Sequence, residues 1–125
     1  MTSSDTIELR GLRVLARCGV LPFEQEQDQP LELDVDVVTD TAAAGASDDL
    51  TDTVDYGAVC AAIEAAVRAR PVALLERLAE VVTGTVLDLD PRITAVEVVV
   101  RKLRPPVPQQ LATSGVRIRR SRDSA

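Results

Sequence analysis

The chain has no histidine and no tryptophan, and only one tyrosine and one phenylalanine among its 125 residues. The lack of imidazole removes His-based catalytic triads and the usual zinc sites from consideration. Cysteine is nearly as scarce. Cys18 and Cys60 are far apart and have no partners at metal-binding spacing, so both thiols are expected to act as small buried hydrophobes in a reducing compartment. No metal and no cofactor is therefore expected. Basic residues number 14 against 20 acidic ones, a net charge of −6, which lacks the dense cationic footprint a nucleic-acid partner requires. There is no charged-then-apolar leader, and no apolar run approaches the ~20 residues of a membrane span. These absences lead to the expectation of a cytoplasmic protein with no membrane partner. With aromatics at 2%, the 46% hydrophobic content must build its core from Val, Leu, Ile and Ala.

What is present is strongly patterned. Residues 93–108 read ITAVEVVVRKLRPPVP: a strand with Val96, Val98 and Val100 on one face and Glu97, Val99 and Arg101 on the other. Lys102 is in phase with the valines, just ahead of Pro105 and Pro106. Partial desolvation there would suit a proton carrier; the alternative is a stem packed on the valines with its ammonium in water. A first strand from Thr6 carries Ile7 and Leu9 on one phase and Leu12, Val14, Ala16 and Cys18 on the other, so a bulge is expected at Gly11. Residues 20–30 read as a connecting loop, and residues 30–38 alternate Leu31, Leu33, Val35 and Val37 with Glu32, Asp34 and Asp36 as a second strand.

The small-residue, acidic stretch 42–53 reads as a surface connection. Asp55 suits the N-cap of a helix starting near Gly57, with Val59, Ala62, Ile63, Ala66 and Val67 on its apolar face. A second helix starts near Leu74, with Leu74, Leu78, Val81, Val82 and Val86 on one stripe. A last strand from Gly115 points Val116 and Ile118 inward and Arg117 and Arg119 outward, ahead of a solvated end. Residues 1–5 and 121–125 are expected to be flexible. The order ββααββ predicts one α+β domain: a four-stranded antiparallel sheet with two helices on one face. Its other face, carrying Val99 and Leu9, and its two open edges lead to the expectation that it oligomerises.

Four polar residues lie where a core does not require them: Glu24 in the first loop, Tyr56 at the start of the first helix, Glu76 in the first turn of the second, and Lys102. Each has an ordinary reading as a solvated charge, a half-buried ring or a helix-terminus carboxylate. Together with their surroundings they resemble a known family. Gly19, Val20, Glu24 and Gln29, then SDDLTDTVDYGAV over 47–59, ALLERLAE over 73–80 and RKLRPPVP over 101–108 are similar to dihydroneopterin aldolases, in the same order along nearly the whole chain.

The resemblance implies the ββααββ tunnelling fold, whose subunits join sheets into a β-barrel, commonly as an octamer of two stacked tetramer rings. It implies a small pterin as substrate. Glu76 would accept hydrogen bonds from the amino-pyrimidinone edge, helped by backbone groups around Leu75; Tyr56 would line the pocket from a neighbouring subunit. Glu24 would contact the hydroxylated side chain and hold Lys102, and Lys102 would move protons. The implied reaction is retro-aldol cleavage of 7,8-dihydroneopterin, with Lys102 and Tyr56 catalytic, and with 2′-epimerisation as a related activity. Two positions depart from the common pattern: Cys18 stands where many members have histidine, and Leu21 where tyrosine is usual. Alternatives are an epimerase paralogue acting on dihydroneopterin or its triphosphate, and a non-catalytic pterin-binding oligomer.

Overall fold

The computed structural model describes residues 5–122. Its sheet has strands β1 (Thr6–Ala16), β2 (Gln29–Val38), β3 (Ala95–Lys102) and β4 (Ser114–Ser121), antiparallel and in sequence order, so that β1 and β4 are the edges. The bulge falls where the change of phase predicts it: the β1–β2 register shifts between Leu9 and Leu12, and Gly11 has φ of 70°. Helices α3 (Tyr56–Arg68) and α4 (Leu75–Leu89) run back to back over one face of the sheet. Two shorter helices, α1 (Pro22–Glu26) and α2 (Ala42–Ser47), occupy the stretches read as connections. Both are too short for periodicity to reveal.

The core is aliphatic. Leu31, Leu33, Val35 and Val37 of β2 and Val96, Val98 and Val100 of β3 meet Val59, Ile63 and Val67 of α3 and Leu78, Val82 and Val86 of α4. Asp55 caps α3 by accepting from the N–H groups of Gly57 and Ala58. Leu74, expected on the buried stripe of α4, is instead its exposed N-cap, and Leu75 turns inward in its place. That swap follows from the helix beginning one residue later, which rotates Leu74 off the stripe.

Among the described residues, the outer face of the sheet is mostly charged rather than apolar, Val99 and Leu15 excepted. Leu9 pairs with Val35 and packs on the core, because the bulge at Gly11 returns both Leu9 and Leu12 to the helix side. Outward-facing residues are tied by charge: Arg13 to Glu32 at 3.2 Å, Arg101 to Glu32 at 3.0 Å and to Asp34 at 2.8 Å, and Arg10 to Asp36 at 2.7 Å. Val99 lies between Asp34 and Arg117 in register. An argument for association must therefore rest on the open edges.

Residues expected to be flexible are held in part. Asp5 accepts from the N–H and hydroxyl of Thr41, which lowers its pKa. Ser121 ends β4. Arg120 reaches Glu80 of α4, and Arg122 donates to the carbonyls of Leu87, Asp90 and Ile93. The end read as solvated is in fact a clasp on α4. Residues 1–4 and 123–125 lie outside the described residues.

Candidate active site

The site forms at the end of the sheet where β1 and β3 finish. Lys102, the last residue of β3, lies opposite Leu31 in register, and its Nζ donates to Glu24 Oε2 at 2.6 Å. Neither charge is on the surface: the Glu24 side chain is 1% exposed and that of Lys102 13%. The reading of Glu24 as a solvated loop charge fails because α1 turns its third residue inward, where Glu24 Oε1 accepts a long 3.4 Å bond from the Leu21 N–H.

A glycine makes room for this carboxylate. Gly19 has φ of 151°, and a Cβ on it would overlap the Glu24 carboxyl group. Any side chain there would displace Glu24, so Gly19 is required for the pair as well as for the turn.

Cys18, fully buried, forms a short parallel bridge with Val72, and that bridge carries the chain into α4. Leu75 and Glu76 follow at once, so the start of α4 lies at the same end as Lys102. Electrostatics agree with the backbone. Burial pushes the Cys18 thiol up, the Lys102 charge opposes that rise, and the charges of Glu24 and Glu76 add to it. Cys18 thus sits among three of the four polar residues singled out in the sequence. Leu75 is buried, while Glu76 is exposed and offers its carboxylate to solvent in the first turn of α4.

Tyr56 is not with them. It begins α3 and is 64% exposed. The C-terminal end of α3 is at the Lys102 end, where Arg68 donates to the Leu15 carbonyl; its N-terminal end follows Thr51 and Thr53, whose carbonyls accept from Arg92 near the start of β3. Thirteen helical residues separate the two ends by roughly 20 Å. A cleft of about 650 Å³ between the end of α3 and the start of α4, lined by Ala66, Ala69, Val72, Leu74 and Leu78, includes neither Glu24, Glu76 nor Lys102. Within one chain the four residues do not share a pocket.

Sequence reasoning missed Gln25, which lies beside Glu24 and whose amide Nε2 donates to the carbonyls of Gly19 and Val72. No pattern in the sequence distinguishes it from the other polar residues of that stretch. Among the described residues, no group of three or more His, Cys, Asp or Glu side chains could hold a metal ion, and no helix is long and apolar enough to cross a membrane.

Residues 7–119 match the family model described as FolB, dihydroneopterin aldolase. The dihydroneopterin aldolase of Streptomyces coelicolor is 38% identical over 118 residues, 94% of this chain and 98% of that relative. That of Streptococcus pyogenes serotype M18 is 33% identical over 118 residues, 94% and 99% of the two. The E. coli dihydroneopterin aldolase crystallised with neopterin superposes with a TM-score of 0.85 at 29% identity, over 94% of this chain and 99% of that one. The chain belongs to the dihydroneopterin aldolase family.

Proposed function

We propose that this protein cleaves 7,8-dihydroneopterin by a retro-aldol reaction, giving 6-hydroxymethyl-7,8-dihydropterin and glycolaldehyde. The observation that carries the reading is the Lys102–Glu24 pair: an amine and a carboxylate 2.6 Å apart, withdrawn from solvent, at the end of the sheet that also presents Glu76. Glu76 would bind the ring edge, its two oxygens matching two neighbouring N–H donors. Backbone groups around Leu75 would complete that contact, and Glu24 would also meet the hydroxylated side chain.

The chemistry follows from the substrate. Loss of the proton from the 2′-hydroxyl makes that oxygen a carbonyl as the C1′–C2′ bond breaks. The released electron pair runs from C1′ into the C6=N5 imine of the ring, and C1′ is later reprotonated. Because the substrate is its own electron sink, the protein supplies a base, an acid and fixed geometry. Lys102 moves the protons, with Glu24 steering its amine. The amine is engaged with a carboxylate rather than presented bare to a carbonyl carbon, which favours proton transfer over a Schiff base. Both Glu24 oxygens accept protein hydrogen bonds, which favours a reaction without metal.

Tyr56 enters this scheme from another subunit. The edges β1 and β4 run in opposite directions, so β4 of one copy can extend the antiparallel sheet through β1 of the next, a heterologous contact that closes into a ring. With the helices outside, the ion-paired face lines the barrel. Strands about 4.8 Å apart and tilted 35–45° stagger a four-stranded subunit by roughly 13–19 Å relative to its neighbour. That displacement is close to the length of α3, so it can bring the Tyr56 end of one copy to the Lys102 end of the next. The octamer of two stacked rings is the assembly we propose.

The test is incubation of chelator-treated protein with 7,8-dihydroneopterin and separation of the products. Appearance of 6-hydroxymethyl-7,8-dihydropterin with glycolaldehyde is expected. Formation of the 2′-epimer alone would make the protein an epimerase, and restoration of activity only by added zinc would overturn the metal-free mechanism. The shared site is tested by mixing Tyr56→Ala with Lys102→Ala under conditions of subunit exchange. Hybrids should regain activity; confirmed exchange without recovery refutes the shared site.

A further inference from the structure

Gln25 is half-buried in α1, one residue beyond Glu24. Its amide nitrogen has two hydrogens and two carbonyl acceptors, that of Gly19 through a short bond and that of Val72 at 3.1 Å. The Gly19 N–H also donates to Val72 at 3.0 Å, and the Val72 N–H donates to the Arg17 carbonyl at 3.1 Å. Gly19 is the residue whose missing Cβ admits the Glu24 carboxylate. Val72 lies three residues before Leu75 and four before Glu76. The amide therefore spans two segments, one seating the proton-moving pair and the other leading to the carboxylate that faces the ring. Only a donor fits: a carboxylate at this position would set its lone pairs against two carbonyl oxygens.

We propose that Gln25 is a positioning residue for the aldolase reaction, fixing the distance between the Glu24–Lys102 pair and the Glu76 segment. It touches no substrate and acts through Glu24. Misplacing a proton-transfer group by about 1 Å can cost up to about 10²-fold in rate, whereas ring-edge binding at Glu76 needs only its own segment. The loss should accordingly fall on turnover. This inference rests on the aldolase reading.

The experiment measures glycolaldehyde formation and the affinity of a pterin lacking the side chain, in wild type, Gln25→Ala, Lys102→Ala and the double variant. Gln25→Met, which fills similar volume without the donor, replaces Gln25→Ala if that variant does not fold. Expected are a roughly tenfold lower kcat with pterin affinity within about threefold, and less than about a twofold further loss when Lys102 is already absent. A general structural role would lower turnover equally in both backgrounds, and that result overturns the proposal. So does an unchanged kcat in a folded variant of active wild type. If wild type itself forms no glycolaldehyde, the aldolase reading falls and this role with it.

Discussion

At the end of the sheet where β3 begins, two arginines satisfy the carbonyl oxygens of Thr51, Thr53, Leu87, Asp90 and Ile93. Leu87 lies in the last turn of α4, where helix carbonyls lack backbone partners. At the opposite end, one lysine meets one carboxylate, and both are withdrawn from water. The first arrangement fastens loops and a helix terminus with many partners at a half-exposed surface. The second concentrates two opposite charges in a small space, where desolvation offsets most of their attraction. Stability does not explain a pair of that kind. The contrast sets a fastening at the Arg92 end, which also carries Tyr56, against the proposed proton transfer at the Lys102 end, and each can be broken separately.

The largest effect is expected at Lys102. Lys102→Ala should lower turnover by about 10²-fold or more while pterin affinity stays within about tenfold. Glu76→Ala should do the reverse, weakening pterin binding by roughly 2–4 kcal/mol through loss of one partner of a charge-assisted pair. Calorimetry on the folded variants separates the two. Normal turnover in Lys102→Ala would return the lysine to a packing role; unchanged affinity in Glu76→Ala would leave the ring edge without its carboxylate.

How much of this could be read from the sequence depended on the range of the signal. Alternation along β2 and β3 fixed which residues face the core, and the break in phase around Gly11 located the bulge. Asp55 marked the start of α3 by its own chemistry. Family resemblance points to Glu24, yet its burial is not legible in the sequence, because it depends on Gly19 and on a helix of five residues. The Gln25 clamp joins positions 47 residues apart through backbone carbonyls, which leave no trace in residue type. The same holds for Arg122, whose basic, C-terminal context reads as a solvated tail while its partners are carbonyls. The family resemblance implies a site role for Tyr56, but its distance from Lys102 within one chain emerges only once the direction of α3 is known.

A smaller effect sharpens the contrast from the structural end. Asp90 binds the Arg92 guanidinium through both oxygens, at 2.8 Å to Nη2, and accepts from the Arg92 N–H at 2.9 Å. The Arg92 side chain holds the Asp90 carboxyl below the usual carboxylate range; partial burial opposes this, and the Arg92 backbone N–H and the Arg92 and Arg122 charges assist it. Because the folded-state value is depressed, the ionised group contributes stability that is complete above the ordinary Asp value of ~3.9 and is lost as pH falls through the lower folded value. Asp90→Asn keeps the shape without the charge, so it should cost about 1.5–2 kcal/mol at pH 7, the low end of the range for hydrogen bonds to a charged group. The gap from wild type should narrow as both are acidified below about pH 4. Urea denaturation at pH 7, 5, 4 and 3 measures it. A gap independent of pH would make Asp90 a neutral turn residue rather than a charge partner. Turnover at pH 7 should remain within about twofold of wild type, since the Asp90 carboxylate bonds Arg92 and not Tyr56, the site residue at this end; a large loss would show that the Arg92 clasp also positions Tyr56.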